Sequence, residues 1–330
     1  MKFGVFADLH IDLMHDCEQR LQDFLHACDA ENVDFIIQLG DFCNPIRPEE
    51  RITKSVHLSK DLALSLEKAP KVDKEKILSM YRNYPKKSYH VLGNHDTDQC
   101  SKQAALQLFG AEKSYYSFDC GGWHFITLDC DYYEENGKFY DYDHGNYYDK
   151  HEYEPCLPPQ ELEWLKEDLE KTEFPVMIFS HQSLNQEIYG ITNYREFRDI
   201  VHCTGDKVKL CINGHNHINN MVFQEGVYYF NLNSISNQWL GDRFLTERYG
   251  KEIDGEYPFL CKVAPYRDAL FAIIEAEPSF IDIRGKESSF VGKSPYELKY
   301  PFHLTMCEIT PRIGSYYIEL APKSAYERVI

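Results

Sequence analysis

Val91-Leu92-Gly93-Asn94-His95-Asp96 is the stretch on which the fold turns. The apolar run Tyr89–Leu92 reads as a buried strand and stops at a glycine, after which an amide, an imidazole and a carboxylate follow without a break. A strand that delivers polar groups into a turn sets them on a rigid edge, a common way to build a site. Alone the stretch is a weak signal, because Gly-Asn is ordinary turn punctuation. It has company: Asp8-Leu9-His10, Gly40-Asp41, Ser180-His181 and Gly214-His215-Asn216-His217 have the same form. Each follows a run with the composition of a strand.

Working outward, Lys2–Ala7 is the expected first strand, with Asp8 and His10 at its end. Residues 16–31 carry Leu21, Phe24, Leu25 and Cys28 at the i, i+3, i+4, i+7 spacing of an amphipathic helix, and Val33–Leu39 is a second strand ending in Gly40-Asp41. This is a strand–helix–strand unit with metal-capable groups at both strand ends. Residues 44–87 read as a helical insertion, with helices over 48–68 and 73–84, that delays the third strand. Further on, 101–109 reads as a helix and 115–119 with 123–128 as a hairpin across Cys120-Gly121-Gly122.

Residues 131–157 form a Tyr-rich loop, with seven tyrosines between Asp131 and Glu154 and no clear period. The loop follows a strand, as the metal motifs do, so it is expected to rise at the same sheet edge and cover the organic part of a substrate. Pro158-Pro159 opens a helix through Lys171, and strands are expected at 174–179, 208–212, 222–223, 227–232, 269–275 and 280–284. Residues 286–330 read as a less regular C-terminal extension, and the chain is expected to form a single domain spanning 1–330.

The chain's 330 residues suffice for a large core, and 43% hydrophobic with 27% charged residues is the balance of a soluble globular protein. No apolar run reaches the roughly 18–20 residues of a membrane span. The eleven cysteines are odd in number and include no C-x-x-C pair, which suits free thiols in a reducing compartment, so a cytoplasmic protein is expected. A formal charge of −18 disfavours long nucleic acids, whose binding depends on Lys and Arg neutralising phosphates. Small phosphate compounds held through bound metal ions are not excluded on that ground.

Asp8, His10, Asp41, Asn94, His95, His181, His215 and His217 are metal-capable groups at strand ends. Imidazole and carboxylate without thiolate suit first-row metals. In Asp8-Leu9-His10 and His215-Asn216-His217, residues i and i+2 point the same way and reach one site. Asp41, alone after its glycine, is the natural bridging carboxylate. An isolated Asp-x-His or a histidine after a strand is an ordinary structural feature. Only five of the fourteen histidines fall in these motifs, so histidine abundance does not produce the pattern.

The order Asp8-x-His10, Gly40-Asp41, Gly93-Asn94-His95-Asp96, His181, Gly214-His215-x-His217 resembles the calcineurin-like metallophosphoesterases. The resemblance implies an α/β fold, an αββα sandwich of two mixed sheets flanked by helices, with a two-metal centre at the strand ends. It implies that Asp8, His10, Asp41 and His217 hold one metal and Asp41, Asn94, His181 and His215 the other, with manganese, iron or zinc the expected ions. His95 would contact phosphate or protonate the leaving group, and Asp96 would orient His95. Two metals roughly 3.5–4 Å apart clamp a phosphate and turn a bridging water into hydroxide. An imidazolium can then protonate the leaving alkoxide.

Asn44 stands three residues after Asp41, where purple acid phosphatases place a tyrosine, so a tyrosine–iron centre is not expected. The Gly93–Asp96 motif ends in Asp, as in class III cyclic-nucleotide phosphodiesterases and their bacterial relatives. The expected activity is hydrolysis of a small phosphate mono- or diester, nucleotide-like esters included. The alternatives are a nuclease of the same superfamily and a non-catalytic scaffold with the same fold; the sequence does not fix an oligomeric state.

Overall fold

Alternation in the first strand sets up the layers. In β1 (Lys2–Phe6), Phe3 and Val5 enter a core between two sheets, whereas Phe6 enters a second core shared with helices. The computed structural model describes residues 1–43, 73–148, 151–152, 154–185, 189–301 and 307–320.

After β1 come α1 (Cys17–Ala30), β2 (Phe35–Leu39), α2 (Lys74–Arg82), β3 (Lys87–Val91) and α3 (Lys102–Phe109). The hairpin β4 (Tyr116–Cys120) and β5 (Trp123–Thr127) follows, then a second hairpin, β6 (Tyr132–Glu135) and β7 (Lys138–Asp141). Next are α4 (Pro159–Lys171), β8 (Val176–Ser180), α5 (Tyr194–Cys203), β9 (Val208–Asn213), β10 (Asn220–Gln224) and β11 (Val227–Asn231). The short pair β12 (Asn237–Trp239) and β13 (Val263–Pro265) precedes β14 (Ala272–Glu277), β15 (Phe280–Gly285) and β16 (Tyr316–Glu319).

The first six-stranded sheet has the order β16-β15-β14-β1-β2-β3, the second β10-β11-β9-β8-β5-β4. Phe3, Ile37, Phe125, Phe179, Ile212 and Ile274 fill the space between them. Outside the first sheet, Leu21 and Phe24 of α1 and Ile77 and Tyr81 of α2 pack on Phe6 and Ile36. Outside the second, Leu165 and Leu169 of α4 and Phe197 of α5 pack on Ile126 and Ile178. The result is the expected αββα sandwich. Gly4 lets α1 approach the first sheet closely, since a Cβ there would lie 2.3 Å from Cys28 Sγ.

β1, β2 and β3 run parallel, as do β5, β8, β9 and β11. Parallel strands end on one edge, so the segments after β1, β2, β3, β8 and β9 gather there. Those are the five motif segments.

Most expected elements are present within one to three residues. The helix over 48–68 lies outside the described residues. Features not anticipated include the β6–β7 hairpin inside the Tyr-rich segment, helix α5, the β12–β13 pair, a short helix over Lys251–Glu256, and β16 within the C-terminal extension. Among the described residues, no helix is long and apolar enough to cross a membrane.

Candidate metal centre

The turns after β1 and β2 lie side by side, because Asp8 N–H donates to Gly40 O (3.0 Å) and His10 N–H to Asp41 O (3.0 Å). Asp8, His10, Asp41, His215 and His217 all have positive φ, between 48° and 65°. Left-handed backbone at a non-glycine residue is strained and persists only where its surroundings over-determine it. Here Gly93 provides the close approach: a Cβ on it would lie 2.3 Å from Asp41 N and 2.4 Å from Asp41 Oδ1.

Two clusters result. In one, His217 Nε2 lies 3.2 Å from His10 Nε2 and 3.3 Å from Asp8 Oδ1. In the other, His181 Nε2 lies 3.2 Å from Asp41 Oδ2, 3.2 Å from Asn94 Oδ1 and 3.3 Å from His215 Nδ1. Asp41 Oδ2 is also 3.9 Å from His10 Nε2, so one carboxylate spans both clusters. Asp8, His10 and His217 form one group with donor atoms within 4.8 Å of one another, and Asp41, His181 and His215 form another. Every residue expected to hold a metal is brought to this edge.

The hydrogen bonds behind the clusters fix which atoms face inward. His181 Nδ1–H donates to Leu39 O and His217 Nδ1–H to Asn237 O, both at 2.7 Å. Each ring therefore turns its Nε2 inward, His181 toward Asp41 Oδ2 and Asn94 Oδ1 and His217 toward Asp8 Oδ1 and His10 Nε2. This nitrogen and oxygen set fits first-row metals.

The electrostatics agree. Burial opposes a charge on His181, but Asp41 outweighs it and holds the imidazole up at about 10. Burial and His181 push His215 down to about 3, and burial likewise holds His10 well below its ordinary value. Burial works against the Asp41 charge, yet His181 and His95 hold that carboxyl well below the usual carboxylate range. This is a field that places positive charge at the centre of the site.

His95 sits beside the clusters, its N–H donating to Asp41 Oδ1 (2.8 Å) and its ring centroid 5.7 Å from that of His10. The carboxylate at its Nδ1 is Asp98 (2.8 Å). Asp96, expected in that place, accepts instead from the backbone N–H of Gly93 (2.9 Å) and Cys43 (3.0 Å), and burial with the nearby Asp41 pushes it up to about 7. Asn94–Thr97 form a 3₁₀ turn, in which residues three apart eclipse and neighbours diverge, so Asp98 and not Asp96 shares a face with His95.

Sequence reasoning also missed Ser234 and Ser236, whose hydroxyls donate to Asp8 O at 2.9 and 3.1 Å and brace its turn. Their one signal is position, directly after β11. Tyr147 and Tyr148 of the Tyr-rich segment reach the site as well, through Asp98.

Residues 1–219, which contain all five motifs, match the profile of the calcineurin-like phosphoesterases. The chain belongs to that family. This phosphoesterase shares its fold with a dimetal phosphatase from Danio rerio at 16% identity, over 89% of this chain and 99% of that one, with a TM-score of 0.57. GAP50, described as the anchor in the inner membrane complex of Plasmodium, is similar at 15% identity over 98% and 90%, with a TM-score of 0.52. Among curated proteins, no sequence matches the chain significantly. The two Asp/His clusters of this calcineurin-like phosphoesterase point to a dimetal centre.

Proposed function

We propose that the chain hydrolyses a small phosphate mono- or diester at a dimetal centre, with Asp8, His10, Asp41 and His217 holding one ion and Asp41, Asn94, His181 and His215 the other. The observation that carries the reading is the position of Asp41 Oδ2 between His181 Nε2 (3.2 Å) and His10 Nε2 (3.9 Å). Manganese, iron and zinc suit these donors. When bound, such a pair supplies a clamp on phosphoryl oxygen and a water acidic enough to attack near neutral pH.

The remaining roles fall to the chain itself. His95 is the proton donor to the leaving oxygen, and Asp98 keeps the His95 proton on Nδ1, so that Nε2 carries the transferable one. Asp96 acts on the turn, tying the Gly93 and Cys43 amides together. The net charge of −18 favours small phosphate esters, nucleotide-like ones included, over long nucleic acids. The free thiols support a reducing, cytoplasmic location.

The test is metal analysis of the purified chain by mass spectrometry, with a panel of nitrophenyl, alkyl and nucleotide esters and single- and double-stranded DNA. Two bound metals, turnover of a small ester and loss of both in Asp41→Asn are expected. A folded chain that binds no metal or cleaves no ester overturns the proposal in favour of a scaffold. Preferential DNA cleavage makes it a nuclease.

A further inference from the structure

The Tyr-rich segment is tied down at its base and again after β7. At its base, Lys102 Nζ donates to Asp129 Oδ2 and to Asp131 O, both at 2.8 Å, and pairs with Asp141 Oδ1 at 2.9 Å. The same ammonium lies 3.4 Å from the centroid of the Tyr132 ring. After β7, His144 N–H donates to Cys100 O (3.1 Å) and Gly145 N–H to Thr97 O (3.3 Å), which seats the chain along the segment that follows His95. Tyr142, Tyr147 and Tyr148 stack in succession, with centroids 4.2 and 4.4 Å apart.

This stack aims two hydroxyls at one buried carboxylate. Asn94 Nδ2–H donates to Tyr147 Oη (3.1 Å), and Tyr147 O–H donates to Asp98 Oδ1 (2.7 Å). Tyr148 O–H donates to Asp98 Oδ2 (2.6 Å), the oxygen that also receives His95 Nδ1–H (2.8 Å). Tyr148 Oη lies 2.9 Å from that nitrogen as well. An amide has two ends, and only its oxygen can ligate a metal. By engaging Nδ2, Tyr147 turns Asn94 Oδ1 toward His181 Nε2.

We propose that the Tyr-rich segment completes the site from within the same chain. Tyr147 locks the Asn94 amide in its ligating sense, and Tyr148 and Asp98 together fix the ring and tautomer of His95. All three are positioning residues. The inference rests on the dimetal reading above, but concerns the geometry of Asn94 and His95, which can be read without turnover. It differs from the expectation of a lid over the substrate in resting on the hydroxyls of Tyr147 and Tyr148, whose partners lie within the protein.

The test uses the full chain with Tyr147→Phe, Tyr148→Phe and Asp98→Asn. Mn²⁺ titration of the apoprotein by calorimetry should show one of the two sites losing about 10- to 100-fold in affinity in Tyr147→Phe, as for other partners that orient a metal ligand. Imidazole ¹⁵N spectra of the apoprotein should show His95 protonated at Nδ1 in the parent and a mixture of tautomers in Asp98→Asn. Tyr148→Phe should keep its metals and KM and lose about tenfold in kcat, more on alkyl than on nitrophenyl esters. Unchanged Mn²⁺ affinity in folded Tyr147→Phe overturns the Asn94 half, and unchanged His95 spectra in folded Asp98→Asn overturn the other. Should Tyr147→Phe fail to fold, Mn²⁺ titration of Asp98→Asn tests the same chain of bonds. A chain that shows these shifts yet cleaves no phosphate ester would refute the proposed activity and leave this inference standing.

Discussion

His10 Nε2 and His217 Nε2 face each other at 3.2 Å in the candidate metal centre. His217 gives its Nδ1 proton to Asn237 O, so its Nε2 presents a lone pair. Burial disfavours an imidazolium at His10. A cation held between the two nitrogens would stabilise the pair, and metal binding would then be linked to folding. At a free metal concentration 100 times Kd, stabilisation of about 2.7 kcal/mol is expected, a rise in Tm of roughly 5 °C. Scanning calorimetry with Mn²⁺ and with a chelator measures this. A Tm indifferent to both would mean the two nitrogens share a proton instead.

His95→Ala should keep both metals and lose on the order of 10²- to 10⁴-fold in turnover. The loss should shrink for nitrophenyl esters, whose leaving group scarcely needs a proton. Parallel kinetics on alkyl and nitrophenyl esters decide the matter. Equal losses would assign His95 to phosphate contact alone.

Gly93→Ala drives a Cβ to 2.3 Å from Asp41 N and 2.4 Å from Asp41 Oδ1. Overpacking of this kind costs about 1–3 kcal/mol, and here the displaced group is the carboxylate proposed as the shared ligand. Lower stability together with lower metal occupancy is expected. Gly110→Ala is the control: its φ of +69° strains an alanine, but nothing lies within 4 Å of the added Cβ. It should lose stability and keep its metals. Wild-type metal content in Gly93→Ala would show that the turn after β3 can shift without moving Asp41.

Far from the metals, buried His124 joins β4 to α4, with Nδ1 2.6 Å from Asp119 Oδ1 and Nε2 2.8 Å from Asp168 Oδ2. Burial opposes its charge, but the two carboxylates outweigh it and raise its pKa above the ordinary 6.5. A raised folded-state pKa gives stabilisation that is complete below the unfolded value and fades as pH rises through the folded one. Urea denaturation of the parent and of His124→Gln between about pH 5 and 9 should therefore show a difference that narrows with rising pH. A constant difference would assign His124 a packing role only.

The sandwich and the clustering of ligands were legible because both follow from strand periodicity and from parallel strands ending on one edge. Five Asp- and His-bearing turns after five strands leave little freedom in where those side chains meet. The partner of His95 was not legible in the same way. Asp96 and Asp98 both follow it closely, and only the 3₁₀ turn over Asn94–Thr97 decides between them. The Tyr-rich segment escaped for a different reason. Its exposed β6–β7 strands show no burial alternation, and the hydroxyl contacts of Tyr147 and Tyr148 depend on tertiary placement. Helix α5 was legible in principle, since Phe197 and Val201 are buried with Tyr194 and Ile200 packed beside them, the spacing of one apolar helix face.

The left-handed backbone at Asp8, His10, Asp41, His215 and His217 sets the chain's chemistry against its own durability. Each such residue costs on the order of 1–2 kcal/mol relative to a relaxed conformation, against a total stability of about 5–15 kcal/mol for a typical domain. Glycine carries no such penalty. A descendant with no use for metals would thus have a thermodynamic incentive to drift toward glycine at these five positions, becoming sturdier as it became inert. The same asymmetry guides bench work: where a ligand is to be deleted cleanly, glycine relieves the backbone while alanine leaves it wound the wrong way.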